Sequence, residues 1–331
     1  MNESVDRPLV TIAMMTYNQE KYVRDSVRGI LSQTYEPLEI IISDDCSTDR
    51  TWDIILEEVE TYKKAGGIHK NVILKRNERN LGIAAHGELM GGYRHGEIVI
   101  GCGGDDISLP NRAEVIVDAF LRAGTNASVL MHGVILIDDH GRKIGECGSR
   151  SEKEPMGAAM AWRRREGLMF PPVTEKNAYE DRIGMNRMRI SGGDVLRIED
   201  RLICYRLGTG VSSSLTKHRL ADIKSEKGII ASYRQSLLDL EFVKGLIPQE
   251  CYNSLKKEFN EEKCQREYLL QLYEANDIRL RYHAFSRLGK YEFGVKTRVL
   301  QIVYLLPHWL CDLILNGHLK LKLFLKRFRL K

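Results

Sequence analysis

The 331-residue chain predicts an α/β fold: a mixed, mostly parallel sheet flanked by helices, with a helical C-terminal extension. Three observations carry this reading. Short apolar runs alternate with helix-period segments from Leu9 to Ala123, polar and acidic residues follow directly on several of those runs, and from about Leu215 the pattern turns helical and charged. The length exceeds that of a typical single domain. Residues 1–214 therefore read as one α/β domain, with halves at about 9–123 and 124–214, and residues 215–331 as a helical module.

Leu9–Met15 reads as the first strand, and Asn18 as the N-cap of a helix whose Val23, Val27, Ile30 and Leu31 share one face. Glu39–Ser43 is the second strand. After Thr48, the spacing of Trp52, Ile55, Leu56 and Val59 predicts a helix, and Val72–Lys75 the third strand. Ile83–Arg94 is a glycine-weakened helix, Glu97–Cys102 a strand, and Pro110 opens a helix with Val115, Ile116, Ala119 and Phe120 inward. Strands are expected near Ser128–Met131 and Val134–Ile137, with a hairpin signal at Asp138–Gly145. Tyr179–Ile190 reads as a short helix after the Pro171–Pro172 loop. The sheet closes with Val195–Ile198 and Leu202–Arg206, and helical patterning resumes through Gln249–Asn276.

A charged fraction of 29% and an apolar fraction of 43% are ordinary for a soluble enzyme. The seven cysteines contain no C-x-x-C pair, which argues against a disulfide framework or a zinc cluster. Acidic residues occupy the first positions, where a secretory signal needs positive charge, so a cytoplasmic location is expected. The formal charge of +5 resides entirely in Gln301–Lys331, where Lys320, Lys322, Lys326, Arg327, Arg329 and Lys331 face only Asp312. Val299–Leu315 is apolar but interrupted by Gln301, Pro307, His308 and Asp312, a poor membrane span. With the basic stretch after it, the region from about 297 to 331 suits an interfacial helix on an anionic membrane surface; a helix packed on the protein is the alternative, and no nucleic-acid fold accompanies the charge.

In an open α/β sheet, ligands bind beyond the carboxyl ends of the strands. Three sets of residues lie there: Thr16-Tyr17-Asn18, Ser43–Asp49 with Asp44 and Asp45, and Gly103-Gly104-Asp105-Asp106. An aspartate in such a place accepts the imide N–H of uracil or ribose hydroxyls, and another binds a hard divalent cation. No glycine-rich phosphate loop follows the first strand, which argues against the rival reading of a dinucleotide-dependent oxidoreductase.

The ordered set Val10–Asn18, Ser43–Asp49, Asn80-Leu81-Gly82, Gly104–Ile107 with Leu109-Pro110, and Glu180-Asp181 resembles family 2 glycosyltransferases of the GT-A fold, over roughly Leu9 to Ser214. The resemblance implies a Rossmann-like catalytic domain that inverts the anomeric carbon of a nucleotide-sugar, a UDP-sugar first. Thr16, Tyr17, Asn18, Asp44 or Asp45, Arg79 and Asp105 would contact the nucleotide. Asp105 and Asp106 would hold Mn2+ or Mg2+, and Asp181 would be the base. Acceptors implied are a glycan or a polyprenyl-diphosphate-linked glycan of cell-envelope polysaccharide, O-antigen or capsule. Two departures stand out: Gly103 replaces the first aspartate of the usual Asp-x-Asp motif, and Cys46 occupies a position where glycine is common.

Plainer roles compete at each place. Asp44-Asp45 and Glu180-Asp181 can cap helices, and Asp105-Asp106 can form a turn. Trp162 suits the core or a sugar platform. Arg163 and its neighbours suit a solvated run or a phosphate contact, as does Arg206. His86 and His132 read as structural. Asp181 also carries a tension: a helix start favours its ionised form, and burial opposes that. The competing functions are a non-catalytic sugar-nucleotide-binding scaffold and a nucleotidyltransferase.

Overall fold

A computed structural model describes residues 7–67, 71–152, 154–164, 168–175, 177–208, 218–291, 301–306, 308 and 311. The first half runs β1 (Val10–Thr16), α1 (Val23–Leu31), β2 (Leu38–Asp44), α2 (Thr51–Lys64), β3 (Asn71–Arg76), α3 (Ile83–Gly91) and β4 (Ile98–Gly103). The four strands are parallel in the order β3-β2-β1-β4. The chain builds outward from β1 to β3, then returns across β1 to β4, and such a reversal opens a crevice at the strand ends. Register aligns that edge: Thr16 lies beside Asp44, Asp44 beside Arg76, and Met15 beside Gly103.

Strand side chains alternate between faces. Val10, Ile12 and Met14 join Ile40, Ile42, Ile98 and Ile100 beneath Val27 and Ile30 of α1 and Ile55 of α2. Ala13, Ile41 and Val99 point the other way, under Met90 of α3. Burying this apolar area is the main stabilising contribution, at roughly 25 cal/mol per Å².

The second half comprises β5 (Ile107–Ser108), α4 (Arg112–Ala123), β6 (Ala127–Ile137), β7 (Lys143–Cys147), a 3-10 turn (Gly157–Ala159), β8 (Met160–Arg163), α5 (Glu180–Ile190) and β9 (Asp194–Arg206). β8 inserts antiparallel between β4 and β6, β9 runs parallel to β6, β5 is antiparallel to β9, and β7 pairs with β6.

Several local expectations change. Ser128–Met131 and Val134–Ile137 are one strand, as are Val195–Ile198 and Leu202–Arg206; register shifts, not turns, separate their halves. Asn18 does not cap α1, which starts at Val23. It adopts a left-handed φ of 51° and its Oδ1 accepts the Thr48 N–H at 2.8 Å, tying the loops after β1 and β2 together.

The helices α6 (His218–Phe242), α7 (Gln249–Glu274) and α8 (Ile278–Leu288) follow. Tyr233, Leu240, Tyr252 and Phe259 of α6 and α7 pack with Ile190 of α5. Leu269, Leu272, Ala284 and Leu288 form a further core with Tyr304 and Cys311, so this part of the apolar run at Val299–Leu315 packs on the protein. The basic residues Lys320–Lys331 lie outside the described residues, and no helix of the described residues is long and apolar enough to cross a membrane.

Candidate active site

The loop after β2 is braced from within. Asp44 is buried and accepts from the Thr16 hydroxyl at 3.2 Å, the Ser47 N–H at 2.9 Å and the Ser47 hydroxyl, with the Arg76 guanidinium 3.4 Å away. Its lone pairs are thereby used. Asp45 turns to the loop after β3, accepting from Asn77 Nδ2 at 2.7 Å and from the N–H groups of Leu81 and Gly82 at 2.9 Å each. Three donors leave a carboxylate one of about four acceptor sites. The loops so held carry the exposed side chains Tyr17 and Arg79. Cys46, directly after the two aspartates, has a φ of 62°, a conformation that favours glycine and explains why that residue is common there.

Beyond β4, two carboxylates converge. A Cβ on Gly103 would lie 3.0 Å from Asp105 Oδ1 and 3.4 Å from Asp106 Oδ2, so the backbone there is roofed by both oxygens. Gly104 abuts Thr16 and Gln19, which joins this turn to the end of β1. The Arg206 N–H donates to Asp106 Oδ1 at 2.9 Å. Its buried guanidinium donates to the carbonyls of Asp105, Asp138 and Asp139 and lies over the Tyr22 ring. Arg206 is therefore a clamp on the acidic turn rather than a phosphate donor. Burial and the charge of Asp105 push the Asp106 carboxyl up to about 8. A divalent cation fits this pair, since it relieves that repulsion and magnesium commonly takes only one or two carboxylates. Among the described residues, no group of three or more His, Cys, Asp or Glu side chains could hold a metal alone.

Glu180 and Asp181 open α5 on the far side of this floor. Asp181 Oδ2 accepts the Gly157 N–H at 3.1 Å and Oδ1 the Arg182 N–H at 2.7 Å. Glu180 lies against Gly87 of α3, with Oε1 3.3 Å from a Cβ on Gly157. Burial raises Asp181 despite Arg182 and the two N–H donors, and burial with the charge of Asp181 raises Glu180 to about 8. Desolvation thus outweighs the helix start.

Residues 11–170 match the family model described as glycosyl transferase family 2. The chain carries a family 2 glycosyltransferase domain. It is 37% identical over 78 residues to TuaG of Bacillus subtilis, named as a teichuronic acid biosynthesis glycosyltransferase, an alignment that covers 24% of this chain and 28% of TuaG. The chain spans less than two thirds of the length of the curated relatives it matches, from 28% of TuaG to 58% at most among these. Mannosyltransferase PcManGT of Pyrobaculum calidifontis, solved with GDP-Man and Mn2+, superposes with a TM-score of 0.57 at 15% identity, covering 89% of this chain and 79% of that one. S. aureus TarS with UDP-GlcNAc gives 0.51 at 17% identity, covering 86% and 93%. These likenesses establish the GT-A fold.

Within the family 2 domain, not every residue singled out from the sequence reaches the crevice. Arg163 pairs with Ile98 at the opposite end of the sheet, where its guanidinium donates to the Gly124 carbonyl at 2.6 Å and covers Phe120. Half-buried Trp162 packs between Gly101 of β4 and Gly184 of α5. His132 is a neutral acceptor for Arg112, held down to about 3 by burial, and His86 bonds Ser43.

Two residues escaped the sequence reading. Arg112, fully buried, donates to Ser108 Oγ at 3.0 Å and to the carbonyls of Gly101 and Ala158 at 2.9 and 2.8 Å. It welds the end of β4 to the 3-10 turn whose Gly157 holds Asp181. An arginine at a helix start carries no local sign of burial, and Gly157 no sign of a role.

Proposed function

We propose that this chain is an inverting glycosyltransferase that moves a sugar from a nucleoside diphosphate, UDP first, to a hydroxyl of a glycan or polyprenyl-diphosphate-linked acceptor in cell-envelope polysaccharide synthesis, such as O-antigen or capsule. The carrying observation is the Arg112 frame: one buried cation joins the strand that leads into Asp105-Asp106 to the turn that holds Asp181. Groups on a common rigid frame are what positioning of donor and acceptor requires. The UDP-GlcNAc complex of TarS and the teichuronic acid role in TuaG's name support the donor and pathway class; the GDP-Man complex of PcManGT makes guanine the competing base.

In this reading Asp45, with its remaining lone pair, Thr16, Tyr17, Asn18 and Arg79 form the nucleotide end, and Asp44 braces it. Asp105 and Asp106 would hold Mn2+ or Mg2+, which when bound offsets the charge of the diphosphate. Asp181 accepts the proton of the acceptor hydroxyl as its oxygen attacks the anomeric carbon. The bond from that carbon to the diphosphate oxygen breaks, and the nucleoside diphosphate leaves with the electron pair on the opposite face. Glu180, neutral below about pH 8, offers an O–H to a substrate oxygen. The cations at 320–331 would place the enzyme on the inner face of the cell membrane.

A screen of UDP- and GDP-sugars for donor hydrolysis and transfer, read by mass, tests the proposal. Release of one nucleoside diphosphate with one sugar class is expected. Thermal stabilisation by UDP without turnover on any donor would favour the second reading, a non-catalytic sugar-nucleotide-binding scaffold, for which Gly103 in place of an aspartate is the specific observation.

A further inference from the structure

One face of α6 is polar although fully buried. Ser232, Gln235, Ser236 and Asp239 recur at helical spacing, and each is no more than 1% exposed. Buried polar groups are unfavourable unless hydrogen-bonded, so an apolar face would serve adhesion more simply. Here every one is used, and each accepts at least one bond from α5 or the loop before it. The Tyr179 N–H donates to Ser232 Oγ at 2.8 Å, and that hydroxyl donates to the Gly228 carbonyl at 2.8 Å. One turn later the arrangement repeats: Asn186 Nδ2 donates to Ser236 Oγ at 2.9 Å, and that hydroxyl donates to the Ser232 carbonyl.

Gln235 Oε1 accepts the N–H of Thr174 at 2.9 Å, while Asp239 receives both arms of Arg187 at 2.7 and 3.1 Å. Gly228 permits the approach, since a Cβ there would lie 2.6 Å from the Tyr179 ring. Tyr179 is the residue before Glu180, and α5 has no side-chain cap of its own at that end. Its first turn is oriented from α6.

We propose that this face of α6 is a positioning device for the Glu180–Asp181 pair, with Ser232 as its central residue. The proposal rests on the transfer reading above for its catalytic consequence, and on hydrogen bonding alone for its structural one. Directional bonds fix the angle of a helix end more tightly than apolar contact does, and a misplacement of the order of 1 Å can lower a rate by about a hundredfold.

Ser232→Ala removes the acceptor for the Tyr179 N–H, and Gly228→Ala displaces the Tyr179 ring. In full-length Ser232→Ala, hydrogen exchange should rise at least about tenfold at Tyr179 and its neighbours to Asn186, with the β1–β4 core unchanged. Both variants should lower kcat per folded molecule by about tenfold or more with donor KM within twofold. Unchanged exchange at Tyr179 overturns the device whether or not the enzyme turns over. Increased exchange with kcat unchanged confines α6 to a structural role and overturns positioning. Absence of transfer by the parent protein would instead sink the transfer reading, while exchange still decides the hydrogen-bonded seam.

Discussion

The backbone N–H of Gly157 donates to Asp181 Oδ2 at 3.1 Å, across 24 residues and from a 3-10 turn to a helix start. This bond is what sets Asp181 apart from Glu180, whose carboxylate reaches the same turn but takes its backbone N–H bonds from the start of α5 itself. Asp181→Asn keeps an oxygen for Gly157 and removes the basicity. Transfer should fall by about a thousandfold or more, within the range of general base catalysis, with UDP affinity within threefold by calorimetry. Transfer reduced less than tenfold would remove Asp181 from the role of base.

The pH dependence of stability has a definite sign in one window. Asp106 and Glu180 titrate near 8 in the fold against about 4 in the unfolded chain, so between those values the native state binds more protons and stability falls as pH rises. Buried His86 and His132, lowered by burial, act oppositely, but only below the unfolded histidine value of about 6.5. The melting temperature of the metal-free protein should therefore decline from pH 6.5 to 8. Stabilisation by Mn2+ should grow over that window, because the ion replaces a proton at Asp106. A flat profile, with a Mn2+ shift independent of pH, contradicts the assignment.

Cys46 is held at a φ of 62°, which is unfavourable by roughly 1–2 kcal/mol for a residue with a Cβ. Cys46→Gly relieves that strain and loses about 0.5–1 kcal/mol to the greater freedom of glycine in the unfolded chain. A net gain of about 0.5–1 kcal/mol is expected in urea unfolding. Destabilisation would show that the contact of the thiol with the Glu78 carbonyl at 3.5 Å outweighs the strain.

Membrane attachment is best tested by removing residues 316–331, which carry the six tail cations, and not by cutting at Val299, since Tyr304 and Cys311 belong to the α7–α8 core. The truncated protein should remain folded and cease to sediment with phosphatidylglycerol vesicles. Undiminished sedimentation would locate the lipid contact elsewhere or dispose of it.

The amino-acid sequence by itself determined the alternation of β1–β4 with their helices, because short apolar runs and helical period are local properties: the central strands are covered on both faces and each helix buries one stripe. It also placed acidic residues just after strands, which is enough to mark an edge. Only the tertiary structure decided which partners each carboxylate meets. Asp44 and Asp45 differ in the donors brought to them from other loops, and Arg206 and Arg163 differ in which end of the sheet they occupy. β8 was illegible because four residues gain strand character only by pairing with β4 and β6. The polar face of α6 was illegible because a buried serine and an exposed one read alike. Each of these depends on partners distant in the chain, and hydrogen bonds between distant residues leave no period to read.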